Sequence, residues 1–150
     1  MPLEEAVLRG LVTARRVAIL VHCLVVVLIK NYRKLDPDLL VREAKERRLE
    51  PEMGMFLDLT AKLGRQPRYA KAARKLRPRE GPPRYFFRHL HGPYEAQAAE
   101  LRTPPIARRW GFRMNMTEAD LRGFVNKHMG WHRRATRHSS RGPARIPSRA

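Results

Sequence analysis

A single cysteine, Cys23, lies inside an apolar stretch, so the chain has neither an intramolecular disulfide nor a thiolate zinc site to staple it. Cys23 reads as a small core residue. The glycines form neither GxGxxG nor a Walker loop, which leaves nucleotide-dependent catalysis without support. Long apolar runs are lacking too. The longest spans Val17 to Ile29, which excludes a polytopic membrane protein. Proline at twelve positions and the absence of any repeat exclude a long coiled coil or one regular helical bundle. Acidic residues are scarce, at 14 against 32 Lys and Arg, and the resulting charge of +18 calls for an acidic partner.

That charge is unevenly placed. Residues 1–60 carry 10 basic and 9 acidic side chains, whereas residues 61–150 carry 22 and 5. The asymmetry points to a docking or core segment joined to a segment that meets nucleic acid or an anionic surface. Of the cations 25 are Arg, a bias that suits bidentate phosphate contacts and stacking and that a GC-rich genome also produces. At 150 residues the chain is one unit with appendages. The expected division is a helical docking or anchor segment at 1–64 and a basic, extended segment at 65–150 that orders on a partner.

Residues 3–14 place Leu3, Val7, Leu11 and Ala14 on one helical stripe. The run from Val17 to Ile29 has three readings. As a helix of about 20 Å it is short for a bilayer core of about 30 Å, so spanning needs Arg15, Arg16 and Lys30 to snorkel. As a helix apolar all round it belongs inside an assembly. As a strand it suits the Val and Ile content. Asp36-Pro37 is a helix-start signal for a helix over 37–49, and Pro51 opens a second pattern with Met53, Phe56, Leu57 and Leu63 inward and Gly64 as terminator. Prolines at 67, 78, 82, 83, 93, 104 and 105 confine later helix to short pieces such as 69–76 and 94–101, with extended loop between. Thr117 to Asp120 forms a capping box with Asp in the place of Glu, opening a helix that Gly130 ends. The fold class expected is mostly α: a small N-terminal helical anchor with an apolar helix, then an extended Pro/Arg-rich basic segment with short helices.

Catalytic and metal chemistry find little footing. His128 with His132, and His89 with His91, lack a third ligand at a defined spacing, and Ser139 and Ser140 beside His138 lack an orienting carboxylate. No metal, cofactor or enzymatic activity is expected. The nucleic-acid signal is better. From Arg65 to Arg88 the cations Arg65, Arg68, Lys71, Arg74, Lys75, Arg77, Arg79, Arg84 and Arg88 are opposed by Glu80 alone. On a helix near Tyr69, Lys71, Arg74 and Lys75 share a face that reaches neighbouring phosphates. Aromatics interleave with charge at Arg84-Tyr85-Phe86-Phe87-Arg88, Arg108-Arg109-Trp110 and Trp131-His132-Arg133-Arg134. Such rings stack unpaired bases of folded RNA or, in the bland reading, anchor into protein grooves. The tail adds Arg137 and Arg141 and no acid.

These residues point to a structural, non-enzymatic subunit of a large ribonucleoprotein, most plausibly a ribosomal protein of a mitochondrial, lineage-specific kind. Its expected partners are rRNA or other structured RNA and neighbouring protein subunits. The alternative is a single-pass accessory subunit of a mitochondrial inner-membrane complex, with membrane contact through Val17 to Ile29. Glu4 and Glu5 make the N-terminus unlike an acid-poor transit peptide, so entry into an organelle is expected without cleavage.

Overall fold

The computed structural model describes residues 1–87 and 92–130. The described chain is mostly helical: α1 (Leu3–Ala14), α2 (Ala18–Lys30), α3 (Pro37–Glu46), α4 (Glu50–Gly64), α5 (Pro67–Ala73), β1 (Arg84–Tyr85), α6 (Pro93–Arg102), α7 (Pro105–Arg109), β2 (Phe112–Arg113) and α8 (Glu118–Met129). The Val17–Ile29 run is therefore helix, not strand. No helix among the described residues is long and apolar enough to cross a membrane.

Local signals explain most of the boundaries. The Asp36 carboxylate accepts from the N–H groups of Asp38 and Leu39, 3.0 and 3.3 Å away, at the start of α3. Thr117 and Asp120 make both bonds of the capping box, each 3.0 Å long. Gly130 then closes α8 at φ 76°. Gly64 is different from expectation: it is the last residue of α4, and Arg65 takes the left-handed position at φ 54°. What Gly64 provides is closeness, since a Cβ there would lie 2.8 Å from Ile29 Cγ1.

The expected irregularity beyond residue 67 is also smaller than the proline count implied. Pro67, Pro93 and Pro105 sit in the first turns of α5, α6 and α7. There a missing N–H breaks no helical bond and the fixed φ suits the helix.

One continuous core holds α4 at its centre, with Met53, Met55, Phe56, Leu57 and Leu59 fully buried. α2 packs on α1, α4 and α8, while α4 also receives α3, α5 and α7. The core does not stop at residue 64: Tyr69, Phe86, Trp110, Phe112 and Val125 belong to the same cluster. Phe86 and Trp110, which fall in the clusters read as base platforms or protein anchors, are part of this core. β1 and β2 form a parallel ladder of two pairs, Arg84 with Phe112 and Tyr85 with Arg113. Gly111, at φ 92°, lets the Arg79 strap lie so close that a Cβ would be 2.7 Å from Arg79 Cβ.

Two buried or half-buried acids fasten this second part to α4. Glu52, nearly without solvent contact, accepts from Arg15 and lies 3.8 Å from Arg84. Asp58 accepts from Trp110 Nε1 at 2.6 Å and from Arg109 at 3.1 Å. The Trp110 ring meanwhile covers Gly54, where any Cβ would overlap it.

Candidate nucleic-acid interface

Helix α5 is amphipathic over a short length. Tyr69, Ala72 and Ala73, with Leu76 just beyond, are buried, and Arg68, Lys71, Arg74 and Lys75 are exposed. Its inner side completes the end of α2, whose last carbonyls have no partner within their own helix. The Tyr69 hydroxyl donates to the Leu28 carbonyl at 2.6 Å, and Gln66 Nε2 donates to that of Ile29 at 3.2 Å. Burial pushes the Tyr69 phenol up to about 12, with the nearby Arg68 charge acting against that rise.

Arg68 continues the same seam. Its guanidinium donates to the carbonyls of Tyr32 and Leu35, at 3.3 and 3.5 Å, and lies 5.7 Å from the centre of the Tyr32 ring. This docking places the α2–α3 turn, with exposed Arg33 and Lys34, beside the cations of α5. Across a shallow depression of about 180 Å³, Arg68, Lys71 and Lys75 face Asp38. Lys75 donates to Asp38 at 2.9 Å. That bond, followed by the charges of Lys75, Arg68 and Lys71, holds the Asp38 carboxyl below its ordinary range.

A second groove, of about 590 Å³, runs between α4, α5 and α7. It is lined by Ala61, Ala70 and Ile106, with exposed Arg65 and Arg109 beside them. Arg74 extends the charge along α5, where an adjoining hollow of about 380 Å³ reaches Leu76 and Pro78.

The residues expected to contact RNA thus fall into groups. Arg65, Arg68, Lys71, Arg74, Lys75 and Arg77 are exposed on α5 and its flanks, Arg68, Lys71 and Lys75 toward α3, Arg65 and Arg74 along the grooves toward α4 and α7. Arg79 is half-buried and donates to the Pro82 carbonyl at 3.4 Å. Arg84, Arg108 and Arg109 are exposed but each engages an acid, Glu52, Glu100 and Asp58 respectively. Tyr85 is half-buried with its hydroxyl donating to Glu100; that bond raises the phenol and lowers the carboxyl. Trp110 requires a correction. Its ring is 5% exposed and packed over Gly54, so it anchors α7 and offers no face to a base. Arg88, Arg133, Arg134, Arg137 and Arg141 lie outside the described residues.

Arg33 and Lys34 were missed. Counted by segment, they disappear into the nearly neutral first sixty residues; the available signal was their place between the apolar run and the Asp36-Pro37 start, where a chain reversal exposes them. Among the described residues no group of three His, Cys, Asp or Glu is placed to hold a metal. Comparison with known proteins finds no matching family model, no matching curated protein and no matching solved structure.

Proposed function

We propose that this chain is a structural, non-enzymatic subunit of a large ribonucleoprotein, and that α5 with the α2–α3 turn is its phosphate-contacting face. The observation that supports this reading is convergence: Arg33 and Lys34 join Arg68, Lys71, Arg74, Lys75 and Arg77, although the two groups are more than thirty residues apart in sequence. Asp38 alone pairs with a cation across the depression between α3 and α5. Such a face neutralises phosphates without reading base identity, and the Arg-rich residues beyond 130 add to the same electrostatic attraction. A ribosome, in the leading version a mitochondrial one, is the assembly that this composition suits.

The alternative, an inner-membrane accessory subunit anchored through residues 17–29, has the exposure of Val17 (39%) and Ile19 (53%) in its favour. Against it, Val21, Leu24, Val25, Leu28 and Ile29 already face protein. Fractionation separates the two. The ribonucleoprotein reading expects co-sedimentation with ribosomal particles that is lost after RNase or high salt. Retention in the lipid pellet after alkaline carbonate extraction would overturn it.

A further inference from the structure

Resting on the reading above, we infer that the α5 face takes the backbone of double-helical RNA and does not take unpaired RNA. Binding single strands without sequence preference combines a cationic track with rings on which successive bases stack. The cationic track is present here; among the described residues, the rings near it are buried or half-buried.

Tyr69, Phe86, Phe87, Trp110 and Phe112 are all 5% exposed or less. Phe86 meets Phe112 and Phe87 edge-on, with ring centres 5.1 and 5.8 Å apart, so these side chains satisfy one another inside the core. Tyr32, the ring nearest the α5 cations, lies beneath Arg68 and meets Tyr69 at 5.5 Å and 79°. Tyr85 is held by Glu100. Among the described Phe, Tyr and Trp residues the only exposed one is Tyr94, on α6; on α8 the exposed His128 ring is already stacked on the half-buried Phe124, 4.0 Å between centres. The helix of Tyr94 carries Glu95 and Glu100, which repel a phosphate backbone.

The cations themselves favour the same ligand. Stacking on a base needs a free guanidinium plane, and Arg68, the one arginine within α5, gives two N–H groups to backbone carbonyls and one face to Tyr32, while Arg33, Arg65, Arg74 and Arg77 stand exposed on its flanks. Lys34, Lys71 and Lys75 end in ammonium groups, which meet phosphates as point charges and have no plane to stack. The depression lined by Arg68, Lys71 and Lys75 is about 180 Å³ and carries Asp38, so it suits neither a splayed-out base nor a phosphate inside it. What remains is a run of exposed cations on α5 and its C-terminal flank, from Arg68 to Arg77. A run of that kind suits the regular phosphate rows of an A-form duplex, which is recognised by shape.

The test uses the full chain, an RNA hairpin, and an unstructured RNA with the same number of phosphates, compared by fluorescence anisotropy. The hairpin is expected to bind at least about tenfold more tightly. Because charge density alone favours a duplex, the deciding variant is Lys71→Ala with Arg74→Ala. It should shrink the duplex preference severalfold, whereas Arg137→Ala with Arg141→Ala should weaken both RNAs alike. In a Trp131→Phe background Trp110 is the sole tryptophan, and its emission should not change on RNA binding. Equal or tighter binding of the single strand, a preference insensitive to Lys71 and Arg74, or quenching of Trp110 would each overturn the inference while leaving RNA binding intact. Failure to bind either RNA would instead overturn the proposed function, and this inference with it.

Discussion

Along α2, burial is shared among Val21, Leu24, Val25, Val26, Leu28 and Ile29, so no one side chain dominates. Beyond residue 65, α5 and α7 have only 7 and 5 residues, and burial rests on single large anchors: Tyr69 for α5, Trp110 for α7, and Phe86 with Phe112 for the β ladder. Two of these anchors also have a polar tie, Tyr69 to Leu28 and Trp110 to Asp58. A stripe of aliphatic residues tolerates individual losses by spreading them. A segment held by one ring has fewer contacts in reserve, so its stability should depend more sharply on that ring.

The largest expected effect is at Trp110. Trp110→Ala removes the ring from Gly54 and leaves Asp58 without its indole donor, a cost of about 3–5 kcal/mol measurable by urea unfolding. Gly54→Ala approaches the same contact from the other side and should cost about 1–3 kcal/mol, despite the better helix propensity of alanine. A loss below about 1 kcal/mol in Trp110→Ala would break the contrast, because the later region would then be held by something other than its rings.

The next effect depends on pH. Tyr69 has a folded-state value of about 12 against an ordinary value of 10.0, so the native fold favours the neutral phenol. The associated stability is fully present below pH 10 and is lost as pH rises through about 12. Alkaline unfolding of the wild type should therefore show a loss between pH 10 and 12 that Tyr69→Phe lacks. Equal slopes in the two proteins would remove Tyr69 as the anchor of α5.

The smallest effect is at the start of α8. Thr117→Ala deletes one bond of the capping box and should cost about 1 kcal/mol. The Asp120 carboxyl is lowered first by the Thr117 backbone N–H and then by the Thr117 hydroxyl, with Arg102 adding its charge. Its contribution is present above the ordinary value of 3.8 and is lost as pH falls through the lowered folded value. Thr117→Ala should narrow that acid-side loss, followed by circular dichroism as pH is lowered.

Legibility in the sequence followed the range of the interaction. The N-cap at Asp36, the capping box at Thr117, the stripe of α1 and the helical extent of α4 depend on neighbours within four residues, and all were readable. Trp110 was not, because arginines beside an aromatic look the same whether the ring faces a base or a glycine 56 residues away on α4. The same limit hid Arg33 and Lys34, whose neighbours on α5 are fixed by the Arg68 and Tyr69 bonds to the end of α2. Prolines misled for a different reason. They were counted as breaks, but Pro67, Pro93 and Pro105 stand where a helix can begin.

The two-pair ladder between β1 and β2 ties the chain back on itself, so the residues from Phe86 to Gly111 form a loop closed at its base. Within that loop α6 contributes only Ala99 as a buried residue, while Tyr94 and Leu101 stand in solvent. Lengthening a loop that is already closed is cheap, since each doubling costs about 0.6 kcal/mol in closure entropy. Insertions or deletions around α6 can therefore accumulate between related chains without shifting the register of the core, making this the region where divergence in length should appear first.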